Sequence, residues 1–252
     1  MKLNILSFLI GLAAGVFGGL AGLGGGLILI PLMLHVLKLS QHQVHGTTLV
    51  AIIFTGLSGA ITYGLKGGVD LRAALLLAGA SVSTANFGAR YANTLPAWKL
   101  RRAFGFFLIF CAVFLFSKSF FTDAVGSVPG WAKIIILLLT GLGTGFLSGM
   151  MGVGGGAIMV PVMVLLAGFT QHVAQGTSLL VMVPAGLVGA LTHRRLGNVV
   201  HELLWGLIPG LLLGTYLGGN FAYLMPENAL RNIFAAIIIW IGLRYTRIRT
   251  TE

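Results

Sequence analysis

Shifted by 130 residues, the chain lies on itself. Gly24 falls on Gly154 and Pro31 on Pro161, and the same shift carries Gln41-His42 to Gln171-His172, Gly46-Thr47 to Gly176-Thr177 and Thr62 to Thr192. No gap is needed, and about a third of positions agree over the matched stretch, so the two halves read as duplicates of one unit. Duplication alone does not say what the unit is made of, and composition supplies that. Hydrophobic residues make up 57% of the chain and charged ones 8%, with a mean hydropathy of +0.98, whereas about a quarter of a soluble domain is charged. Such a chain is an integral membrane protein.

Apolar runs cover 3–23, 27–37, 44–65, 71–92 and 103–121, then 132–151, 157–169, 173–192, 202–225 and 229–245. Most approach the ~20 residues that a spanning helix needs. The runs from Leu27 and Ala157 are much shorter and suit a half-spanning or re-entrant piece as readily as a crossing. The expected fold is an all-α polytopic membrane protein. It has two homologous repeats of about five hydrophobic segments each, giving 8–10 transmembrane or re-entrant helices. The first repeat is assigned to 1–117, a linker to 118–133 and the second repeat to 134–252. The start of the chain resembles a secretory signal, but Gly11, Gly15 and Gly19 recur as Gly141, Gly145 and Gly149 in mid-chain, so the first segment is expected to be retained.

An odd number of crossings per half reverses the direction of the second half, so inverted repeats are favoured; the alternative is a parallel arrangement, with four crossings per half if segments two and three form one broken crossing. Charge agrees: with the N-terminus inside, eleven of the sixteen Lys and Arg residues fall on the cytoplasmic side and five outside. The five acidic residues, Asp70, Asp123, Glu202, Glu227 and Glu252, all fall near segment ends or in loops. That pattern disfavours a cation carrier, which needs a carboxylate within the membrane. No catalytic grouping or phosphate loop occurs, so no enzyme and no ATP-driven pump is expected, and no cofactor. The histidine spacing fits no metal site. The net charge of +11 is loop charge that orients the chain, not a nucleic-acid footprint. The lone Cys111 excludes an intrachain disulfide.

The chemistry-bearing residues recur in both halves. Gly24, Gly25 and Gly26, and again Gly154, Gly155 and Gly156, open the two short segments. A glycine run at a helix start leaves amide N–H groups bare at the positive end of the dipole, which attracts an anion. It equally permits a tight turn between closely packed helices. Downstream, Ser40 and Thr170 read as N-caps. Gln41, His42, Thr47 and Thr48, with their counterparts Gln171, His172, Thr177 and Ser178, follow on the long third segment of each half. The hydroxyls either bond the preceding helical turn or line a substrate path. His42 and His172 are either interfacial or titratable donors to an anion, the latter permitting proton coupling. His35, His45, His193 and His201 have no histidine at the matched position and are read as loop or interface residues.

The stretch GLAGLGGGLILIPLML followed by HQVHGTTL, with GMMGVGGGAIMVPVMV followed by HVAQGTSL, resembles the sulfite exporter TauE/SafE family, also called the TSUP family. The resemblance covers nearly the whole chain. It implies transport of a small anion across the cytoplasmic, or inner, membrane of a prokaryote, with sulfite, thiosulfate, organosulfonates and related oxoanions or carboxylates as cargo classes. The partners expected are that anion and the lipid bilayer. A non-transporting assembly partner or anion sensor is the alternative. One departure is Thr48, which stands where the second half has Ser178.

Overall fold

The computed structural model describes residues 2–91 and 129–247, with four isolated positions between them. Among the described residues there are nine helices: α1 (Lys2–Ala21), α2 (Gly26–Val36), α3 (Gln41–Gly64), α4 (Leu71–Tyr91), α5 (Gly130–Met151), α6 (Gly156–Leu165), α7 (Gln171–Arg195), α8 (His201–Tyr223) and α9 (Glu227–Arg247). Most of the fifth apolar run lies outside the described residues, as do Pro96 and Arg101, which the 130-residue shift carries to Pro226 and Arg231, Cys111, and most of the stretch assigned to the linker. Gly130 to Lys133, assigned to the end of that linker, form the first turn of α5.

Helix starts follow the sequence closely. Ser40 caps α3 in a full capping box with Gln43, and Thr170 accepts from the Val173 amide at the head of α7, as N-cap residues do. Asp70 caps α4 by accepting from the Ala73 amide at 2.9 Å. The loops that follow α3 and α7 turn at Gly67 and Gly197, both with φ above +70°, a conformation glycine enters without Cβ strain. Lys38 carries a φ of 51° where the other half has Gly168 at 72°. The two halves therefore take the same backbone path, once with a residue suited to it and once without.

Small residues decide which helices meet. A methyl group built on Gly141, Gly145 or Gly149 of α5 would strike backbone carbonyls of Leu77, Ser81 or Ala85 on α4 at 2.7, 2.1 and 2.1 Å. The matched Gly11, Gly15 and Gly19 of α1 meet Leu207, Leu211 and Thr215 of α8 in the same way, at 2.5, 2.7 and 2.4 Å. In both seams the residue numbers rise together, so α1 runs parallel to α8 and α4 parallel to α5. The first helix of each half thus packs on the fourth helix of the other. Helices α3 and α7 pair in the opposite sense, with Gly56 against Leu179 and Gly189 against Leu49. They are antiparallel and cross near Phe54 and Pro184, two positions related by the same 130 residues.

The paired ends define two rims. The Lys38 rim holds the starts of α1, α3 and α8 and the ends of α4 and α7; the Lys66 rim holds the ends of α3 and α8 and the starts of α4, α5 and α7. Helix α2 does not cross between them. After α1 the chain turns at Gly22, Gly24 and Gly25, and α2 returns toward the Lys38 rim, where Met33 Sδ lies 3.8 Å from the Thr48 hydroxyl. Its 11 residues extend roughly 16 Å at 1.5 Å per residue, about half a bilayer core. The short second segments are re-entrant, because the glycine turn reverses the chain at the middle of the bundle.

Buried residues concentrate where α2 and α6 meet the crossing helices: Leu29, Met33, Leu49, Ile52, Met159, Met163 and Leu179 are fully enclosed. Outward faces carry large apolar groups instead, among them Trp205 at 81% exposure and Leu75 at 75%. A lipid-facing surface accounts for that pattern.

Candidate functional site

The two glycine turns are brought together. Each turn holds three glycines with positive φ, Gly22, Gly24 and Gly25 in one and Gly152, Gly154 and Gly155 in the other. A Cβ on Gly26 would lie 3.0 Å from the Gly152 carbonyl, and one on Gly156 would lie 2.4 Å from the Gly22 carbonyl. Ile52 and Met182, matched residues on α3 and α7, sit over Gly24 and Gly154. The contact closes the centre of the bundle, and only backbone without side chains could approach so closely.

In the first half, α2 makes its first intrahelical bonds from Ile28 and Leu29 to the Gly25 carbonyl, so the Gly26 and Leu27 amides precede the ladder. In the second half the Gly156 amide bends back onto the Gly154 carbonyl at 2.9 Å, leaving one fewer amide at the head of α6. The turn function of these glycines is therefore plain in the geometry. The six nominated glycines, Gly24, Gly25, Gly26, Gly154, Gly155 and Gly156, are all buried.

The G-T-T and G-T-S elements divide their labour. Gly46 lies against the Asn198 carbonyl and Gly176 against the Gly68 carbonyl, so each docks the loop of the opposite half. Next to them the Thr47 hydroxyl accepts from the Val200 amide at 3.0 Å, and the Thr177 hydroxyl from the Asp70 amide at 2.9 Å. These bonds satisfy backbone amides ahead of α8 and α4, where water is scarce and an unpaired donor costs about 1–3 kcal/mol. Thr48 and Ser178 point inward. The Ser178 hydroxyl lies 2.9 Å from the Gly22 carbonyl and 2.8 Å from the Gln175 carbonyl, tying α7 to the first glycine turn.

His42 is exposed on the Lys38 rim, while His172 is half-buried on the other, with Nε2 3.2 Å from the Ala222 carbonyl and its ring 4.7 Å from that of Tyr223. The side chain of Gln41 lies outside the described residues. Gln171 is fully buried, and among the described residues neither its Oε1 nor its Nε2 has a hydrogen-bond partner.

Four residues missed in the sequence complete the arrangement. Gln175 packs directly on Gly22, and Tyr63 places its hydroxyl 2.9 Å from the Gly19 carbonyl and 3.0 Å from Gln175 Oε1. Tyr63 has one proton to give, so one polar atom of the Gln175 amide is left over whichever way that amide is turned. At the matched positions in the other half stand His45, which packs on Gly152 and donates from Nδ1 to the Met151 carbonyl, and His193, whose Nε2 lies 3.4 Å from the Gly149 carbonyl. The reading of these two histidines as loop or interface residues is corrected: His193 is 1% exposed and His45 is partly buried against a glycine turn. The repeat held the signal, since His45 matches Gln175 and His193 matches Tyr63, but a search for identical residues passes over unlike polar pairs.

Gln171, Gln175 and Ser178 recur at the spacing of one helical face, and Gln41, His45 and Thr48 repeat it on α3. Each crossing helix thus carries a polar stripe from its start toward the glycine turns. On the Lys38 rim, Arg90, Arg195, Asn86 and Thr192 line a cavity of about 210 Å³ between the ends of α4 and α7. Among the described residues no group of His, Cys, Asp and Glu is arranged to hold a metal ion.

Comparison with known proteins bears on what this bundle does. The sulfite exporter TauE/SafE family profile matches residues 7–245. The chain belongs to the TauE/SafE family. Two relatives from Bacillus subtilis strain 168 carry the names probable membrane transporter protein YunE and YdhB; each is 28% identical, over 94% and 92% of this chain and 95% and 94% of their own lengths. A relative from Methanocaldococcus jannaschii, the probable membrane transporter protein MJ0441, is 25% identical over 64% of this chain and 61% of its own. No solved structure matches. This TauE/SafE protein is a multi-pass membrane transporter, with four helices, among the described residues, that are long and apolar enough to cross a bilayer.

Proposed function

We propose that this transporter is a secondary carrier of a small anion, such as sulfite, thiosulfate, an organosulfonate or a related oxoanion or carboxylate, in the cytoplasmic membrane of a prokaryote. The observation that carries the reading is the meeting of two glycine-opened helix starts at the centre of the bundle, with the buried Gln175 side chain packed on one of them. Helix starts favour negative charge, and paired interrupted helices in corresponding positions of two halves mark transporter sites. The substrate set comprises the amides of Gly24, Gly25, Gly26, Gly154, Gly155 and Gly156, with Thr48, Ser178 and the polar stripes of α3 and α7 along the approach. Thr47 and Thr177 hold the loops that flank it. Because Ile52 and Met182 close over the turns, passage requires the halves to part, first toward one rim and then the other.

The halves are inverted in this reading. Antiparallel α3 and α7, with parallel seams elsewhere, are what a two-fold axis across the helices produces, and such an axis lies in the plane of the membrane. Positive charge at Arg90, Arg194 and Arg195 supports a cytoplasmic side for the Lys38 rim. In a background lacking Cys111, a membrane-impermeant maleimide is expected to label Lys66→Cys in intact cells and Leu196→Cys only after permeabilisation. Labelling of both from outside would refute the inversion.

Function itself is tested by flux. Purified protein in liposomes is expected to take up labelled sulfite, thiosulfate, methanesulfonate or acetate at a saturable rate that unlabelled anion competes away. Folded, inserted protein that moves none of these would point to a non-transporting role.

A further inference from the structure

The two halves place matched polar side chains against matched backbone, but only one pair can change charge near neutral pH. Toward the Lys66 rim, the Tyr63 hydroxyl meets the Gly19 carbonyl and Gln175 covers Gly22. Toward the Lys38 rim, His193 Nε2 meets the Gly149 carbonyl and His45 covers Gly152. The contacts with the glycines correspond, although His45 also bonds the Met151 carbonyl where Gln175 meets Tyr63, so packing on the turn does not require histidine: Tyr and Gln meet that need 130 residues away.

A carbonyl only accepts, so the Gly149 contact makes His193 Nε2 the N–H donor and leaves the lone pair on Nδ1. That Nδ1 is buried, and among the described residues it has no hydrogen-bond partner. A bare imidazole lone pair enclosed in protein is a proton acceptor awaiting a proton. The groups around it are cationic or neutral, except for the exposed carboxylate of Glu202 at the start of α8. His42 is in electrostatic reach on α3, where His45 packs on the Gly152 turn. Arg90 ends α4, Arg194 and Arg195 follow on α7 itself, the one titratable group of α5 is Lys133 in its first turn at the opposite rim, and His201 and Glu202 open α8. A proton on His193 would need a negative partner to remain in so enclosed a place, and the cargo anion is one.

We propose that His193 is the proton-binding site of the transport cycle, so that anion and proton bind together at the end of the path nearest the Lys38 rim. The inference rests on the anion-carrier reading above. The Tyr63 and Gln175 station at the other end binds without a proton, and the two ends of the path differ in their response to pH. His42 and His172, nominated from sequence, have no part in this step.

Thiosulfate and methanesulfonate keep one charge state near neutral pH, so any pH dependence with them belongs to the protein. In the full-length protein with ¹⁵N-labelled histidine in micelles, the His193 resonance, assigned by its loss in His193→Gln, is expected to report proton uptake between roughly pH 5 and 8, with a midpoint that rises when either anion is added. A His193 that stays neutral throughout, or whose midpoint ignores both anions, overturns the proposal. In liposomes, anion uptake by the wild type is expected to change about tenfold between pH 5.5 and 8.5, and by less than about twofold in His193→Gln and in His45→Gln/His193→Tyr, which copies the other half. Retention of the wild-type profile in both variants also overturns it. A wild type that moves no anion defeats the carrier reading alone, and the resonance of His193 still decides the proton site.

Discussion

Gly149→Leu is expected to yield no folded protein, whereas Gly143→Leu on the same helix is expected to behave as wild type. Both substitutions add the same side chain to α5, with the same gain in helix propensity. They differ in what stands opposite. A Cβ on Gly149 would come within 2.1 Å of the Ala85 carbonyl, and backbone on α4 cannot swing aside as a side chain can; nothing lies within 4 Å of a Cβ on Gly143. The seam of α4 and α5 would have to open by several ångströms, and the re-entrant α6 packed at its end would lose its support. Size-exclusion profiles and thermal melts in detergent check this, with Gly218→Leu on α8 as the matched variant, since its Cβ would lie 2.1 Å from the Val16 carbonyl. A monodisperse Gly149→Leu protein with wild-type stability would show that the seam is not as close as described.

The second large effect separates the two roles of the triple glycines. Gly25→Ala and Gly155→Ala make the same change at matched positions, both with φ above +70°, and a left-handed backbone with a Cβ costs roughly 1–2 kcal/mol in each. Space then distinguishes them. The new methyl on residue 25 would sit 2.7 Å from the Ala14 carbonyl, while that on residue 155 meets the end of Met159 at 3.2 Å and Thr144 at 3.4 Å, where small side-chain shifts suffice. Gly25→Ala is expected to lose most folded protein. Gly155→Ala is expected to fold and to lose anion transport by at least about tenfold, because the methyl stands beside the amides at the head of α6. A folded Gly155→Ala that transports at the wild-type rate would leave these glycines with a turn function only, and the anion would have to be held elsewhere.

Much of this architecture was legible in the chain. Runs of apolar residues near twenty long place most helices, because hydrocarbon tolerates no unpaired backbone and leaves the helix as the way across. The N-caps at Ser40 and Thr170 were equally plain, since a short hydroxyl before an apolar run satisfies amides that nothing else can reach. Local chemistry of this kind is written within a few residues of where it acts. The 130-residue register also marks which positions of the two halves are to be compared.

Three things required the assembled molecule. The pairing of α1 with α8 and of α4 with α5 follows from which glycine ladder faces which backbone, and every ladder in the chain looks alike in sequence. The Thr47 and Thr177 hydroxyls could have served their own helix, lined a path or held a distant loop; only the positions of Val200 and Asp70 decide for the loop. The polar station at His45 and His193 stayed hidden because its partners in the other half are the unlike residues Gln175 and Tyr63, which share with it the packing on a glycine turn and one bond to a glycine carbonyl. Sequence determined the helical class and the places of the described helices, since those depend on hydrophobicity and spacing along one strand of chain. Tertiary structure decided which carbonyl each buried donor meets, since that depends on distances between residues more than a hundred positions apart.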